Sequence, residues 1–292
     1  MGKKIAIIGS GFIGNSLGKY YHDNGFNVTF YDISESTLSD LKSKGYKVND
    51  SFKEVIEDSK YIFITLPTPT INGKINLIAF NETVEKIINI DNLNDKIFII
   101  KSTITPKTTE ELFIKKLINN GKKANQDFGV IYSPEFITEI AKTWDKKGEE
   151  ISFGTEDRVV IGEGDNNKWG NLFIEDLILN KDIPVVRTSY KEAEMIKYVS
   201  NTMLATKISF WNEIFLLSQK LEMNFEDIAK GVSLDKRIGK YGTVTGKAFG
   251  GKCLPKDLDA FIGFSEEFRE MDILKSVKDI NDMMMSEFGV RE

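Results

Sequence analysis

One local order of elements near the start of the chain limits the folds that it can adopt. A short apolar run rich in β-branched residues, Lys4–Ile8, is followed at once by Gly9-Ser10-Gly11-Phe12-Ile13-Gly14. An amphipathic helix pattern comes next, and a second apolar run, Asn27–Tyr31, ends at Asp32. Strand, glycine-rich turn, helix, strand and acid in this order are the fingerprint of a Rossmann-like dinucleotide-binding unit. The pattern therefore predicts a nucleotide-binding domain in the first half of the chain.

Each glycine of this turn has a separate physical role. Gly9 makes the tight turn, Gly11 lets a pyrophosphate approach the backbone, and Gly14 lets the helix pack closely on the strand. The helix N-terminus offers N–H groups and a positive dipole end to the phosphates. Asp32 lies 18 positions after Gly14. A carboxylate there accepts hydrogen bonds from a ribose 2′-OH and repels a 2′-phosphate, so we expect NAD as the cofactor rather than NADP. The predicted cofactor-binding residues of this segment are Gly9, Gly11, Phe12, Ile13, Gly14 and Asp32.

Apolar strand patterns and helix patterns alternate through the rest of the first half. The strand patterns are 61–66, 96–100, 128–132, 158–162 and 183–186, and the helix patterns between them include 78–90 and 106–119. Such alternation predicts a doubly wound, mostly parallel α/β sheet, in which ligands bind at the carboxyl ends of the strands. Thr68, Thr103 and Glu135 fall at predicted carboxyl ends and are candidate site residues. The two threonines could equally cap the helices that follow them.

The second half of the chain has a helical pattern. Residues 190–221 contain neither proline nor glycine, and their apolar side chains recur with a period near 3.6, which predicts one long helix. A further helix pattern covers 271–288. We therefore expect two domains, a Rossmann-like domain at 1–188 and an all-helical dimerisation domain at 189–292.

Two pairs of polar residues have the i, i+4 spacing that places side chains on one face of a helix. Lys197 and Asn201 form one pair, within the predicted long helix, and Glu135 and Glu139 form the other. Each pair is either part of a reactive site or a solvated face of a surface helix. The spacing alone leaves both interpretations open.

The only cysteine of the chain lies in the segment Phe249-Gly250-Gly251-Lys252-Cys253-Leu254-Pro255-Lys256-Asp257. Two glycines allow the backbone to approach a bound molecule closely. Pro255 suits the first position of a helix, which places Cys253 just before a helix N-terminus. The helix dipole and a neighbouring lysine favour the thiolate, which is the nucleophilic form. The alternative is a buried cysteine that packs as a small hydrophobic side chain, but the glycines, the proline and the flanking charges favour the nucleophile.

Composition excludes several other classes of function. The net charge of −5 gives no indication of nucleic-acid binding. A single cysteine rules out an intrachain disulfide and fits a reducing compartment, so we expect a cytoplasmic protein. The start of the chain, 1–6, reads as a strand without a long apolar run, so we expect no signal peptide. With one cysteine and one histidine, His22, no zinc site of the usual kind can form, and no metal is predicted. No stretch approaches the roughly 18 apolar residues needed to span a membrane.

These segments together resemble the nucleotide-sugar dehydrogenases, the family that contains UDP-glucose 6-dehydrogenase and GDP-mannose 6-dehydrogenase. They occur in the family's order and cover nearly the whole chain. The form Cys253-Leu254-Pro255-Lys256-Asp257 is similar to the UDP-glucose and GDP-mannose branches, whereas the branch that oxidises N-acetylated sugars usually carries Cys-Ile-Pro-Val-Asp. The matching segments are 9–14 with Asp32, Leu66-Pro67-Thr68-Pro69-Thr70, Lys101-Ser102-Thr103, Ser133-Pro134-Glu135-Phe136, Glu192-Ala193-Glu194 with Lys197 and Asn201, Arg237-Ile238-Gly239, and 249–257.

The resemblance implies an enzyme that uses two NAD⁺ to oxidise the C6 alcohol of a nucleotide sugar to a uronic acid, with UDP-glucose to UDP-glucuronate as the expected reaction. Cys253 would attack the C6 aldehyde as a thiolate, and the thiohemiacetal would be oxidised to a thioester that water hydrolyses. Lys197 and Asn201 would donate to the oxyanion at C6. Asp257 would take the proton of the first oxidation through a water that Thr103 positions.

The resemblance also implies residues that hydrolyse the thioester and hold the ligands. Glu135 would act as the base for hydrolysis, and Glu139 would support the site. Arg237 would reach the sugar in a neighbouring subunit, which implies a homodimer. The implied substrate-binding residues are Glu135, Phe136, Ile137, Lys197, Asn201, Arg237, Phe249, Gly250 and Gly251, and Thr68, Thr103 and Glu139 are implied to bind the cofactor.

One departure from the family leaves two other functions open. Family members normally continue into a third domain that holds the nucleotide of the substrate, and we expect the chain to be a short form without it, with a separate nucleotide-binding chain as a candidate partner. A two-domain β-hydroxyacid dehydrogenase has about this length and oxidises its substrate once, without a cysteine. A non-catalytic NAD-binding subunit is the third hypothesis. The number of NADH formed per sugar, two, one or none, distinguishes the three.

Overall fold

The structure is a computed structural model that describes residues 3–137 and 152–291. Its strands are β1 (Lys4–Ile8), β2 (Asn27–Tyr31), β3 (Lys47–Val48), β4 (Tyr61–Ile64), β5 (Thr70–Ile71), β6 (Lys74–Ile75), β7 (Ile97–Ile100), β8 (Gly129–Tyr132), β9 (Val159–Gly162), β10 (Val185–Thr188), β11 (Ala248–Phe249) and β12 (Val290–Arg291). Its α-helices are α1 (Phe12–Asp23), α2 (Glu35–Ser43), α3 (Phe52–Asp58), α4 (Ile78–Ile88), α5 (Lys115–Asn119), α6 (Lys168–Leu177), α7 (Tyr190–Lys220), α8 (Phe225–Ser233), α9 (Leu254–Ser265) and α10 (Asp272–Phe288).

The described residues group into two compact units. The first unit consists of 3–69, 76–136 and 152–197, and the second consists of 70–75, 137 and 198–291. The change from one unit to the other therefore falls within α7. This grouping does not test the predicted domains, 1–188 and 189–292, which stay a prediction.

An eight-stranded sheet forms the centre of the first unit. Its strand order is β10-β9-β8-β7-β4-β1-β2-β3. Neighbouring strands pair in parallel except β8 and β9, which pair antiparallel through Tyr132 and Gly162. The predicted α/β class with a mostly parallel, doubly wound sheet is confirmed. The parallel strands end at one edge of the sheet, where Thr68, Thr103 and Glu135 follow β4, β7 and β8.

Both faces of the sheet are covered, because successive strand residues belong to different apolar clusters. Ile5 and Ile7 of β1 pack with residues of α1 and α6 on one side, whereas Ala6 and Ile8 pack with residues of α3 and α4 on the other. All four side chains are at most 1% exposed. Burial on both faces explains why these strands read as continuous apolar runs rather than as an alternation of apolar and polar residues.

Local capping fixes the start of several helices. Ser34 and Ser51 each accept a hydrogen bond from a backbone N–H three residues on, at the first turns of α2 and α3. The predicted helix 106–119 is more irregular than its pattern indicated. Lys107 has a φ of 77°, and a π-helical segment, Thr109–Ile114, precedes α5. A positive φ is costly for a side chain other than glycine, so the regular helix begins only after this residue.

Helices dominate the second unit. Tyr198 and Phe261, from α7 and α9, stack with ring centroids 5.4 Å apart at the centre of its core. Two short ribbons accompany the helices, the antiparallel pair β5–β6 and the parallel pair β11–β12. The helical character expected here is present, and the two ribbons are an addition that the sequence did not predict.

Candidate active site

The glycine-rich turn has the geometry that its sequence predicts. Gly9 has a φ of 92°, and a Cβ at this position would lie 2.9 Å from the Thr65 carbonyl oxygen. A Cβ on Gly14 would lie 2.0 Å from the Gly9 carbonyl oxygen, so only glycine lets α1 start this close to β1. A Cβ on Gly11 would meet nothing within 4 Å. The turn is therefore closed toward the sheet and open above Gly11, which fits the approach of a pyrophosphate to its backbone.

Asp32 is attached to this turn at the end of β2. Its Oδ2 accepts a hydrogen bond from the Ser10 N–H (2.6 Å), and its Oδ1 accepts one from the Ser34 N–H (2.9 Å). Each carboxylate oxygen can accept a second bond, so the side chain is fixed in place and still able to bind a ribose hydroxyl. The residues present therefore fit NAD. Phe12 is 53% exposed at the start of α1, and Ile13 is half-buried.

Thr68 and Thr103 meet at the carboxyl ends of two neighbouring strands. The Thr68 hydroxyl donates to the Thr103 carbonyl oxygen over 2.7 Å. The Thr68 side chain is buried, and Thr103 is half-buried. The bond joins the segments that follow β4 and β7. Neither threonine serves as a helix N-cap in the structure.

Glu135 and Lys197 form a buried ion pair within the first unit. The Lys197 Nζ donates to the Glu135 carbonyl oxygen (2.7 Å) and to its Oε1 (3.2 Å), and the two side chains are 3% and 7% exposed. The ring of Phe136 lies 5.3 Å from the Lys197 Nζ and 4.1 Å from the guanidinium carbon of Arg158. The structure thus brings together three residues that the sequence had assigned to the substrate site, Glu135, Phe136 and Lys197.

Lys101 is a further cation of this region, half-buried, and it received no role from its sequence. Its Nζ donates to the Pro134 carbonyl oxygen over 3.3 Å. Burial lowers the pKa of Lys101 to about 8, and the positive charge of Lys197 adds to this shift while Glu156 and Glu135 oppose it. The available signal was its position directly after a buried strand, beside Ser102 and Thr103.

Glu194 is a second residue without an assigned role, although it lies within a segment that carries the family resemblance. Its two carboxylate oxygens accept hydrogen bonds from the N–H groups of Lys107 (2.6 Å) and Thr109 (2.8 Å). Burial raises its pKa to about 7, and these bonds oppose the shift. Glu194 thereby holds the turn that contains the positive φ of Lys107. Its i, i+3 spacing to Lys197 would suit a residue of the reactive site equally well. The sequence therefore does not show that Glu194 supports a turn, and only the structure does.

The second unit contains the cysteine and a buried acid–amide pair. Cys253 is half-buried at the N-cap of α9, and its carbonyl oxygen accepts the Asp257 N–H over 2.9 Å. Pro255 is the second residue of α9 rather than the first. The Asn201 Nδ2 donates to Asp257 Oδ2 (2.5 Å), and Lys256 forms an ion pair with the other carboxylate oxygen. Asp257 is 1% exposed. The fields of the helix N-terminus and of Lys256 both favour negative charge here.

The remaining predicted site residues are not gathered into these clusters. Arg237 is an exposed residue whose guanidinium pairs with Asp235 two positions away (2.6 Å). Phe249 is fully buried in β11, Gly250 and Gly251 follow it, and Ile137 is half-buried. Glu139 lies outside the described residues. Within 3–137 and 152–291, no group of acidic, histidine or cysteine side chains could hold a metal ion.

Comparison with known proteins decides the family. Residues 41–175 match the NAD binding domain of the UDP-glucose/GDP-mannose dehydrogenase family, and residues 191–283 match its central domain. A UDP-glucose 6-dehydrogenase from Rickettsia prowazekii is 31% identical over 97% of this chain and 67% of its own length. The chain belongs to the UDP-glucose/GDP-mannose dehydrogenase family. This confirms the resemblance to nucleotide-sugar dehydrogenases, and it confirms NAD as the cofactor.

Further members of the UDP-glucose/GDP-mannose dehydrogenase family agree in sequence and fold. The UDP-glucose 6-dehydrogenase of Rickettsia typhi is 30% identical over 94% of this chain. The chain spans 65% of that protein's length, slightly less than two thirds. A UDP-glucose dehydrogenase structure from Pyrobaculum islandicum is 28% identical, with a TM-score of 0.82 over 98% of this chain and 69% of that one. Among the described residues, no helix is long and apolar enough to cross a bilayer.

Proposed function

We propose that the protein is an NAD-dependent dehydrogenase that oxidises the C6 alcohol of a nucleotide sugar to a uronic acid in two steps, with UDP-glucose to UDP-glucuronate as the reaction. The observation that carries the proposal is the start of α9. A half-buried cysteine at its N-cap lies one turn before Asp257, which is buried and bonded to Asn201. A nucleophile at a helix N-terminus followed by a buried carboxylate suits covalent oxidation of an aldehyde and is not needed for a single oxidation of an alcohol.

In the proposed mechanism, residues of this chain hold the reacting groups and accept or donate the protons in each of the two oxidations. The glycine-rich turn and Asp32 would hold NAD⁺, which when bound would supply the hydride acceptor for both oxidations. In the first oxidation, the C6 hydroxyl gives its proton to a water held by Asp257 and Thr103. In the second, the Cys253 thiolate adds to the aldehyde, and Lys197 and Asn201 donate to the resulting oxyanion. Loss of hydride leaves a thioester.

Hydrolysis then restores the thiolate. Glu135 takes a proton from the attacking water, the carbon–sulfur bond breaks, and the uronic acid leaves. The buried pair with Lys197 supports this role, because the lysine holds the Glu135 carboxylate in one orientation.

Counting NADH per sugar consumed tests the proposal. The expected value is two with UDP-glucose, and GDP-mannose is the second substrate to assay. One NADH per substrate would favour the β-hydroxyacid dehydrogenase, and binding of NADH without any turnover would favour a non-catalytic NAD-binding subunit.

The Asp32→Ala variant is expected to lose its preference for NADH over NADPH. Its affinity for NADH should fall about tenfold, because a hydrogen bond to a charged acceptor is removed. Its affinity for NADPH should not fall, because the repulsion of the 2′-phosphate is removed as well. Fluorescence titration with both cofactors measures these affinities. The matched control is Asp40→Ala, which removes an exposed acid of α2 paired with Lys44; equal affinities for both cofactors in the wild type would contradict the role of Asp32.

We further propose that two copies of the chain form a homodimer through α7. Five apolar side chains of this helix, each between 37% and 58% exposed, recur at spacings of four and seven residues, so they form one stripe: Met195, Val199, Met203, Phe210 and Leu217. A second copy presents the same stripe, as a twofold interface requires. Light scattering is expected to give about twice the chain mass of 33.1 kDa. Met203→Glu should halve that mass, and Ile118→Glu, at an exposed position of α5, should not. A monomeric wild type at micromolar concentration would exclude the dimer.

A further inference from the structure

The backbone that leads to the cysteine is held by an asparagine of α10. Asn281 is 4% exposed. Its Oδ1 accepts the Phe249 N–H over 2.8 Å, and its Nδ2 donates to the Phe249 carbonyl oxygen over 3.1 Å. One side-chain amide thus satisfies both backbone polar groups of one buried residue, as a neighbouring strand would do. Aspartate lacks the donor and leucine lacks both groups, so asparagine is specifically suited to this contact.

A second asparagine holds the preceding residues in the same way. Asn212 of α7 is 1% exposed, accepts the Gly246 N–H (3.0 Å) and donates to the Lys247 carbonyl oxygen (3.0 Å). The strand β12 pairs with β11 on a further side. Residues 246–249 are therefore fixed by Asn212 of α7, by α10 and by β12, and all of these contacts lie within the second unit.

The three residues between this fixed segment and Cys253 include two glycines, and they form a loop. We call Gly250-Gly251-Lys252 the thiol loop, because it joins Phe249 to Cys253. Gly251 is exposed and has a φ of 77°. A Cβ on Gly250 would lie 2.2 Å from a methyl carbon of Val290, so only glycine passes β12 here. The thiol loop thus runs from the Phe249 anchor, past β12, to the first turn of α9.

We propose that Asn281 is a positioning residue for the thiol loop and, through it, for access to Cys253. The inference rests on the proposed function only for its catalytic consequence. Without the amide, two buried backbone groups of Phe249 lose their partners. Opening of the loop then becomes easier, while α9 and the rest of the unit keep their own contacts.

The chain has a single cysteine, so alkylation by iodoacetamide followed by intact-protein mass spectrometry reports on Cys253 alone. Asn281→Ala and Asn281→Asp are expected to raise the second-order alkylation rate about fivefold or more, the change that loss of a buried hydrogen bond produces in an opening equilibrium. If the proposed function holds, the same variants should raise KM for the nucleotide sugar by a larger factor than they lower kcat for the first oxidation. The reason is that the thiol loop contributes to substrate binding, whereas the thiol itself takes part only in the second oxidation.

Two control variants separate positioning from general loss of stability. Val277→Ala removes buried apolar volume from the same helix but leaves the Asn281 amide in place, so it should lower Tm by several degrees and leave the alkylation rate within twofold of wild type. Asn224→Asp, at the exposed N-cap of α8, should change neither quantity. Alkylation within twofold of wild type in both Asn281 variants would overturn the proposal, whatever their Tm. Faster alkylation in a protein that oxidises no sugar would support Asn281 and reject the proposed function instead.

Discussion

The Cys253→Ser protein is expected to produce one NADH per UDP-glucose and to release the aldehyde, whereas the proposed mechanism gives two NADH for the wild type. A serine hydroxyl is not ionised at neutral pH and is a poorer nucleophile and leaving group than a thiolate, so no efficient counterpart of the thioester forms. The second oxidation should slow at least roughly a thousandfold, as expected when the nucleophile of a covalent mechanism is removed. In the proposed mechanism the first oxidation does not use the thiol, so it should continue at a reduced rate.

A second variant tests the step after the thioester, which is its hydrolysis. In Glu135→Gln the thioester is expected to form while its hydrolysis lacks the proposed base, so intact-protein mass spectrometry after incubation with NAD⁺ and UDP-glucose should show the sugar adduct. Cys253→Ser should show no such adduct. Glu85→Gln, at an exposed glutamate of α4 that pairs with Lys116, is the matched control and should accumulate no adduct. Full production of uronic acid by Cys253→Ser would refute the covalent mechanism.

Among the variants proposed, Lys197→Met is expected to lower the free energy of unfolding most, and it should also lower activity strongly. Lys197→Met leaves the Glu135 carboxylate buried without its cation, and breaking a buried ion pair in this way lowers the free energy of unfolding by about 3–5 kcal/mol. It also removes the proposed donor to the oxyanion, which should lower kcat about 100- to 1000-fold. Urea denaturation and steady-state NADH formation measure the two effects separately.

Two further variants make this prediction specific. Lys197→Met with Glu135→Gln removes both charges, so it should recover at least half of the lost stability and none of the activity. Lys116→Met breaks an exposed lysine–glutamate pair with Glu85 (2.8 Å) in the same unit and should change stability by less than about 1 kcal/mol. Equal losses of stability in Lys197→Met and Lys116→Met would show that the buried pair contributes no more than a surface one.

The sequence alone was sufficient to predict features whose structure depends on residues close together in the chain. The turn at 9–14 needs glycine for backbone reasons that are local, and Asp32 follows at the end of the next strand, so their places at the edge of the sheet could be predicted. The long helix was predicted to within one residue at its end, because its period is uninterrupted from Tyr190 to Lys220. The same holds for Cys253 at the start of α9, where only the position of Pro255 differed.

Tertiary structure decided which polar side chains satisfy one another. Glu135 and Lys197 are 62 positions apart, and Asn201 and Asp257 are 56 apart, yet each pair is buried and bonded. A helical spacing shows which residues share a face but not which distant residue that face meets. No sequence pattern indicated the contacts of Glu194 and Asn281, because their partners are backbone groups, which every residue type carries.

The sequence by itself thus determined the α/β fold, the cofactor-binding turn and the candidate nucleophile, since each depends on backbone conformation and on apolar patterns within one segment. Only the tertiary structure determined the bracing contacts of Glu194 and Asn281 and the buried partner of Lys197. The physical reason is that a buried polar group must find a partner within about 3 Å, and the packing of distant segments, not their local pattern, places that partner there.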